Sequence, residues 1–262
     1  MKKYWLITTT LLKEYFAYRL NFVLWRLRNF VSILIPIFLW QTVFFNNQAL
    51  KNHTVAYFLL LHLISGLIIS TTTTDLAGQI QNGEIINLLL KPISVFKYYF
   101  FRDLGDKLIN FFFAIIETGI IINIVKIPFF NYLNLTVQNI VLFLLFAIIG
   151  FFSYFFISLL LSFVGFVSPE VWAPRFIFFT LLTILSGFFI PLDFLPKPLF
   201  NLLFFTPFPY FIYLPTKIIT GNFNFINLKL ALFGGIFWLF FSYFLVNFAW
   251  HKGLKSFSFW GK

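Results

Sequence analysis

The stretch "QNIVLFLLFAIIGFFSYFFISLLLSFVGF", residues 138–166, contains no charged side chain over 29 positions. A helix crosses a bilayer with about 20 apolar residues, so this stretch is long enough to span one and still tilt or extend beyond the hydrocarbon. The rest of the chain has the same character, because 60% of all residues are hydrophobic and only 10% are charged. Soluble proteins carry about 25% charged residues. The composition therefore predicts an integral membrane protein.

Hydropathy predicts an all-α fold with six transmembrane helices. The predicted spans lie near residues 29–48, 54–74, 108–128, 138–166, 174–192 and 228–250. Basic residues favour cytoplasmic flanks, and with the N-terminus inside, 14 of the 19 Lys and Arg residues fall in cytoplasmic segments. We expect a multi-pass protein of the cell membrane with both termini in the cytoplasm. The net charge of +11 lies beside the spans, which predicts membrane lipids and not nucleic acid as its partners.

Residues 1–28 are predicted to form a helix that lies flat at the membrane surface. Polar side chains such as Thr10, Lys13 and Glu14 recur on one face, and Trp5 and Trp25 stand near the two ends. An amphipathic helix with aromatic ends is typical of the headgroup boundary. The alternative is an ordinary extension of the first span.

Residues 75–107 form the longest predicted cytoplasmic loop, and the run "GEIINLLLKP" at 83–92 predicts a short helix within it. Asn82 or Gly83 can cap this helix, and Glu84 in its first turn suits the positive end of the helix dipole. Lys91 suits the opposite end, and Pro92 prevents continuation. Two such apolar turns require a partner groove or the membrane surface. The alternative is a loop that rests on the bilayer and binds nothing.

Residues 191–227 are predicted to form an outer hairpin of half-length helices that re-enter the membrane. Six prolines rule out one continuous helix, at positions 191, 196, 198, 207, 209 and 215. The segments between them are too apolar for a free aqueous loop. Broken helices are tolerated within a membrane where protein covers the backbone. A loop folded over its own spans is the alternative.

Catalytic and metal-binding patterns are scarce. The sequence has no cysteine, no G-x-x-x-x-G-K-[ST] phosphate-binding loop and no H-E-x-x-H. We therefore predict a chain without catalytic residues, metal site or cofactor of its own. The run "TTTTD" at 71–75 is expected to hydrogen-bond within a helix, with ion binding as the alternative. Arg102, Asp103, Asp106 and Lys107 are expected to pair with one another in a solvated surface cluster.

Glu117 and His62 are the candidate residues of a transport path. A carboxylate within a span costs about 3 kcal/mol or more unless it is paired or hydrated, so Glu117 is expected to face protein or a cavity. It suits substrate contact, proton coupling or a structural bond to another span. His62 lies in the second predicted span, where a core or pore histidine is favoured over a metal ligand.

Three stretches resemble the membrane subunits of type-2 ATP-binding-cassette (ABC-2) exporters. They are "AYRLNFVLWR" at 17–26, "GEIINLLLKPIS" at 83–94 and "SGFFIPLDFLPKPLFNLLFFTPFPYFIYLPTKIITG" at 186–221. The resemblance implies a single permease domain over 1–262 that is not itself an enzyme. In that family a coupling helix after the second span docks on a cytoplasmic ATPase, which implies contacts by Gly83, Glu84, Asn87, Lys91 and Pro92.

The same resemblance implies that ATP and Mg are bound by the partner ATPase and that a second permease copy or a paralogue completes the pathway. The expected substrate is a lipid, a glycolipid or an amphipathic drug, moved outward. Two alternatives remain at this stage: an ion-coupled secondary transporter that uses Glu117, and a lipid-modifying membrane enzyme.

Overall fold

The structure is a computed structural model that describes residues 2–168, 170–221 and 228–256, and these ranges contain helices and no strand. Within these ranges twelve α-helices follow one another: α1 Lys2–Ala17, α2 Arg19–Val43, α3 Gln48–Ile68, α4 Thr74–Gln81, α5 Ile85–Leu89, α6 Val95–Val125, α7 Val137–Ser162, α8 Trp172–Leu185, α9 Lys197–Leu203, α10 Phe208–Phe211, α11 Tyr213–Ile219 and α12 Leu228–Ser256. Three single-turn 3₁₀ helices accompany them, at Phe129–Tyr132, Phe163–Phe166 and Leu192–Phe194. The all-α prediction is confirmed for the described residues.

Four helices in the described part of the chain are long and apolar enough to cross a membrane. They are α2, α6, α7 with the 3₁₀ turn that follows it, and α12. Helix α3 has 21 residues but begins with a polar turn, and α8 has only 14. The fifth predicted span, 174–192, is therefore wrong in its length. Its helix ends at Leu185 because Gly187 adopts a left-handed backbone with φ of 84°, which a continuous helix does not allow.

The predicted surface helix over residues 1–28 is also wrong in its boundaries. The chain breaks at Tyr18, whose backbone is not helical, and α2 then continues without interruption from Arg19 to Val43. Helix α1 packs along the first half of α6, where Thr8 donates a hydrogen bond to the carbonyl of Phe101 at 2.8 Å. The N-terminal segment is thus two helices, and the second already contains residues 29–43 of the predicted first span.

The predicted loop 75–107 is mostly helical. Helix α6 begins at Val95, 13 residues before the predicted span at 108. At most 3% of Asp103, Asp106 and Lys107 is exposed, so the predicted solvated cluster is wrong. These side chains are buried because α1, α3 and the turn after α3 pack around this part of α6.

Helix α3 lies at the centre of the core. Every residue from Val55 to Leu61 is at most 8% exposed. Helices α6 and α7 pack against α3, the short helix α11 packs against both α3 and α7, and the short helix α10 packs against α7. Gly150 in α7 makes one of these contacts possible, because a Cβ there would lie 2.8 Å from the carbonyl oxygen of Tyr210. The proline-rich segment is therefore broken, as predicted, and its second half is buried in the core.

Candidate functional site

Helix α5 has one buried and one exposed face. Ile85 and Leu88 are buried in a hydrophobic cluster that α4, α6, α7 and α12 also supply. The opposite face is formed by Glu84, Asn87, Leu90, Lys91 and Pro92, all exposed, with Gly83 half-buried beside them. Leu90 alone is 80% exposed. We call residues 83–92 the coupling surface; it brings the five candidate contact residues together on one side of the protein.

The short helix itself is smaller than predicted. Helix α5 contains five residues in place of two full turns, and the side chain at its N-cap position, Glu84, makes no capping hydrogen bond. Gly83 has a φ of 77°, which L-residues with a side chain rarely adopt. Its role is to reverse the chain between α4 and α5, so the predicted capping role of Asn82 or Gly83 is wrong.

Helix α4 connects the coupling surface to α7 through very close packing. A Cβ on Gly165 would lie 2.8 Å from the carbonyl oxygen of Ala77, so only glycine permits this approach of α4 to the end of α7. Ser162 donates a hydrogen bond to the carbonyl of Thr73 at 2.8 Å, and Ser158 lies 2.6 Å from the hydroxyl of the same threonine. The small residues of α7 thus hold both α4 and the turn before it.

That turn, residues 69–73, is organised by a buried carboxylate. Asp103 is fully buried and accepts hydrogen bonds from the Thr72 amide at 2.7 Å and from the Thr72 hydroxyl at 2.8 Å. The Thr71 hydroxyl also donates to it at 2.9 Å. Sequence reasoning missed this contact because it expected the threonines to continue a helix. Since α3 ends at Ile68, the Thr72 amide lacks a helical partner and needs an acceptor from another element.

Two cations satisfy the carbonyl groups around the same turn. Lys107, fully buried, donates to the Ile68 carbonyl at 2.7 Å and also to that of Ser70. Arg175 of α8 donates to the Thr73 carbonyl at 3.1 Å. The last carbonyls of a helix lack intrahelical donors. Here basic side chains from α6 and α8 donate to the carbonyls in place of those donors. The turn is therefore fastened to three other helices, and we call residues 69–73 with these partners the anchored turn.

Glu117 and His62 are brought together, as a pair of candidate residues on neighbouring helices. The Nε2 of His62 lies 2.8 Å from Oε2 of Glu117. Arg26, which sequence reasoning counted among cytoplasmic cations, is buried and approaches the same carboxylate at 2.5 Å through Nη2. Its Nη1 donates to Asn110 at 2.9 Å. The carboxylate is thus saturated by protein partners, which favours a structural bond between α2, α3 and α6.

Another ion pair lies among the short helices of the proline-rich segment. Lys217 of α11 is 6% exposed and lies 2.6 Å from Asp193. The hydroxyl of Tyr213 donates to the same carboxylate at 2.8 Å. Tyr57 of α3 donates to the Gly187 carbonyl at 3.1 Å. These bonds fix the broken segment to the central helix without regular secondary structure.

The chain matches one family model along nearly its whole length. The model is described as ABC-2 family transporter protein and covers residues 26–261. A search among curated proteins gave no match. The match includes the coupling surface, the anchored turn and the proline-rich segment.

Proposed function

The chain belongs to the ABC-2 transporter family, and we propose that it forms half of the translocation pathway of an ATP-driven exporter. It is a non-catalytic membrane permease subunit, and ATP is hydrolysed by a separate ATPase. The partner ATPase would bind ATP and Mg. A second copy of this chain or a paralogue would form the other half. The proposed cargo is a lipid, a glycolipid or an amphipathic drug, and the proposed direction is outward across the cell membrane.

The proposed topology has six spans formed by α2, α3, α6, α7, α8 and α12, with both termini cytoplasmic. At 1.5 Å per residue, the 21 residues of α3 reach about 31 Å, which matches the hydrocarbon thickness. The 14 residues of α8 reach only about 21 Å. Helices α9 to α11 would follow α8 as the re-entrant outer hairpin, where protein covers their broken backbone.

The observation that carries the proposal is the attachment of the coupling surface to the anchored turn. Helix α5 exposes polar and apolar groups outward while Ile85 and Leu88 fix it to the body of the protein. Helix α4 leads directly from α5 to the turn at 69–73. Force applied to the coupling surface would therefore reach α3 directly, α6 through Asp103 and α8 through Arg175.

The two alternative functions are less well supported by these contacts. An ion-coupled transporter needs a carboxylate that is free to bind and release its ion, whereas Glu117 is held by Arg26 and His62. A lipid-modifying enzyme needs clustered acids or histidines near the headgroups. Of the described residues, no three His, Asp or Glu side chains could hold a metal ion together, which does not favour a metal-dependent enzyme of this kind.

Site-specific photocrosslinking tests the proposal. A benzoylphenylalanine residue is placed at position 84 of the full chain in native membranes, and the adduct is identified by mass spectrometry. We expect capture of a soluble protein that carries a phosphate-binding loop and hydrolyses ATP. The matched control is position 130, since Phe130 is 76% exposed but lies in the loop between α6 and α7, far from the coupling surface in sequence.

A second variant separates docking from folding. Leu90→Glu changes the most exposed apolar side chain of the coupling surface and should abolish the adduct from position 84 while leaving thermal stability unchanged. Capture of lipid alone from position 84, with the protein folded, would overturn the proposal. Equal capture of the ATPase from positions 84 and 130 would also overturn it.

A further inference from the structure

A cavity of about 400 Å³ lies where α1 and α2 meet, beside α6 and the anchored turn. It exists because the chain breaks at Tyr18, where φ of −97° and ψ of 44° interrupt the helix. Tyr18 is also 69% exposed, so the cavity is reached from the protein surface. Sites for small molecules measure roughly 300–1,000 Å³, and this volume is therefore sufficient for a compact ligand.

One wall of the cavity is aromatic and apolar. Tyr15, Phe22 and Trp25 supply this wall together with Leu11. The rings of Tyr15 and Phe22 lie 5.2 Å apart and support each other. Aromatic faces attract cations because their ring faces carry negative partial charge, and they equally bind apolar groups.

The ionisable residues of the lining carry more negative than positive charge. The carboxylates are Glu14, Asp75 and Asp106, while Arg102 is the one basic residue among the described lining residues. Arg102 binds Glu14 at 2.9 Å and Asp75 at 3.2 Å, so a single guanidinium serves two carboxylates. Three negative groups against one positive group leave a formal excess of two negative charges.

The carboxylate of Asp106 is buried within the protein and is not open to solvent. It is 3% exposed and accepts a hydrogen bond from the hydroxyl of Tyr15 and another from Asn110 at 3.0 Å. Burial and the neighbouring Asp106 both raise the pKa of Tyr15 well above its usual range, so this hydroxyl remains a neutral donor. An aromatic and an acidic residue of the lining are thus joined by a hydrogen bond.

We propose that this cavity binds an organic cation with an apolar body, which names the substrate class of the exporter proposed above and rests on that proposal. The cationic group would lie near Glu14 and Asp75, which are partly exposed, and the apolar body against Phe22 and Trp25. An anionic headgroup would meet the excess negative charge and be disfavoured. The position beside the anchored turn places the ligand next to the element that α4 and α5 would move.

Equilibrium binding of tetraphenylphosphonium to the full chain in nanodiscs of zwitterionic lipid tests the inference. Tetraphenylborate has the same shape and the opposite charge, and triphenylphosphine oxide is a neutral analogue. We expect the cation to bind at least about tenfold more tightly than either analogue. A tenfold ratio of dissociation constants corresponds to about 1.4 kcal/mol of binding free energy. Equal binding of cation and anion would overturn the inference.

Two substitutions locate the binding. Asp75→Asn, at a side chain that is 49% exposed, should weaken tetraphenylphosphonium binding by about tenfold, and Trp25→Ala by about three- to tenfold. Trp5→Ala is the control, because Trp5 is 54% exposed on α1 and does not line the cavity. Unchanged affinity in both cavity variants would overturn the assignment of the cation to this cavity.

The binding measurement needs no ATPase, so its failure is distinguishable from failure of the proposed function. If the crosslink from position 84 is lost and cation binding is retained, the exporter proposal is refuted and the cation site is supported. If cation binding is lost and the crosslink is retained, the exporter proposal is supported and the cation substrate class is refuted.

Discussion

Replacing Glu117 by glutamine should strongly destabilise the protein. The change keeps the shape of the side chain and removes its charge, which leaves Arg26 buried beside a neutral amide. Arg26 now makes two contacts with this carboxylate, at 3.0 Å through Nε and at 2.5 Å through Nη2. Both side chains are only 9% exposed, so water cannot replace the lost partner without local opening.

Two independent estimates give the magnitude. Removing one member of a buried ion pair costs about 3–5 kcal/mol. An unpaired arginine at the centre of a membrane helix costs about 2.5–3.5 kcal/mol in insertion measurements. The two ranges meet near 3 kcal/mol, and we expect the free energy of unfolding to fall by about that amount. His62 and Asn110 retain hydrogen-bonding groups and reduce the loss only partly.

The assay is reversible unfolding in mixed micelles by titration with sodium dodecyl sulfate, followed by tryptophan fluorescence. Glu84→Gln is the matched control, because it makes the same chemical change at an exposed position and should alter stability by less than about 0.5 kcal/mol. The double variant Arg26→Met with Glu117→Gln removes the unpaired charge and should recover more than half of the loss.

A loss below about 1 kcal/mol in Glu117→Gln would refute this reasoning, since it would mean that Arg26 is hydrated or finds another anion. A double variant that is less stable than the single variant would also contradict it. In either case Glu117 would return as a candidate for ion coupling.

Three other variants test separate contacts by the same unfolding assay. Gly165→Val should cost about 1–3 kcal/mol and reduce substrate-stimulated ATP hydrolysis, because its side chain forces α4 away from α7, whereas Gly78→Ala, which has open space around the new methyl group, should not. Arg175→Gln should cost about 1–3 kcal/mol and speed amide hydrogen exchange in residues 69–73; unchanged exchange would show that the arginine does not hold the turn. Asp193→Asn should lower stability by about 1–2 kcal/mol because it leaves Lys217 buried without its anion, and the loss should disappear in the double variant with Lys217→Met.

Local patterns were sufficient to predict the membrane class, the broken proline-rich segment and a short helix between Gly83 and Pro92. Each of these depends on neighbouring residues: long apolar runs, proline spacing, and the sequence from Gly83 to Pro92. The break at Tyr18 was not predictable in this way, since no proline or glycine stands there. The end of α3 at Ile68 is similar, because the Thr run that follows is compatible with a helix until Asp103 offers it an acceptor.

The buried charges show why the site was harder to predict than the fold. Arg26 and Glu117 are 91 residues apart, and each looks like an isolated polar residue in its own segment. A charge that is costly alone implies a partner, so Glu117 did signal the need for a cation. Which cation meets it depends on how α2 packs on α6, and hydropathy contains no information on that packing.

The anchored turn also has a consequence for the synthesis of the protein. Its carbonyl at Thr73 is bonded by Arg175, which follows 102 residues later, and its amide at Thr72 is bonded by Asp103, which follows 31 residues later. At about 5–20 residues per second, the ribosome reaches Arg175 roughly 5–20 seconds after Thr73. During that interval the Thr73 carbonyl still lacks the hydrogen bonds that Ser162 and then Arg175 donate to it, which favours a waiting position of the turn at the insertion machinery over release into lipid. Assembly of the anchored turn is therefore expected to finish late, with the insertion of α8 as the step that completes its hydrogen bonds.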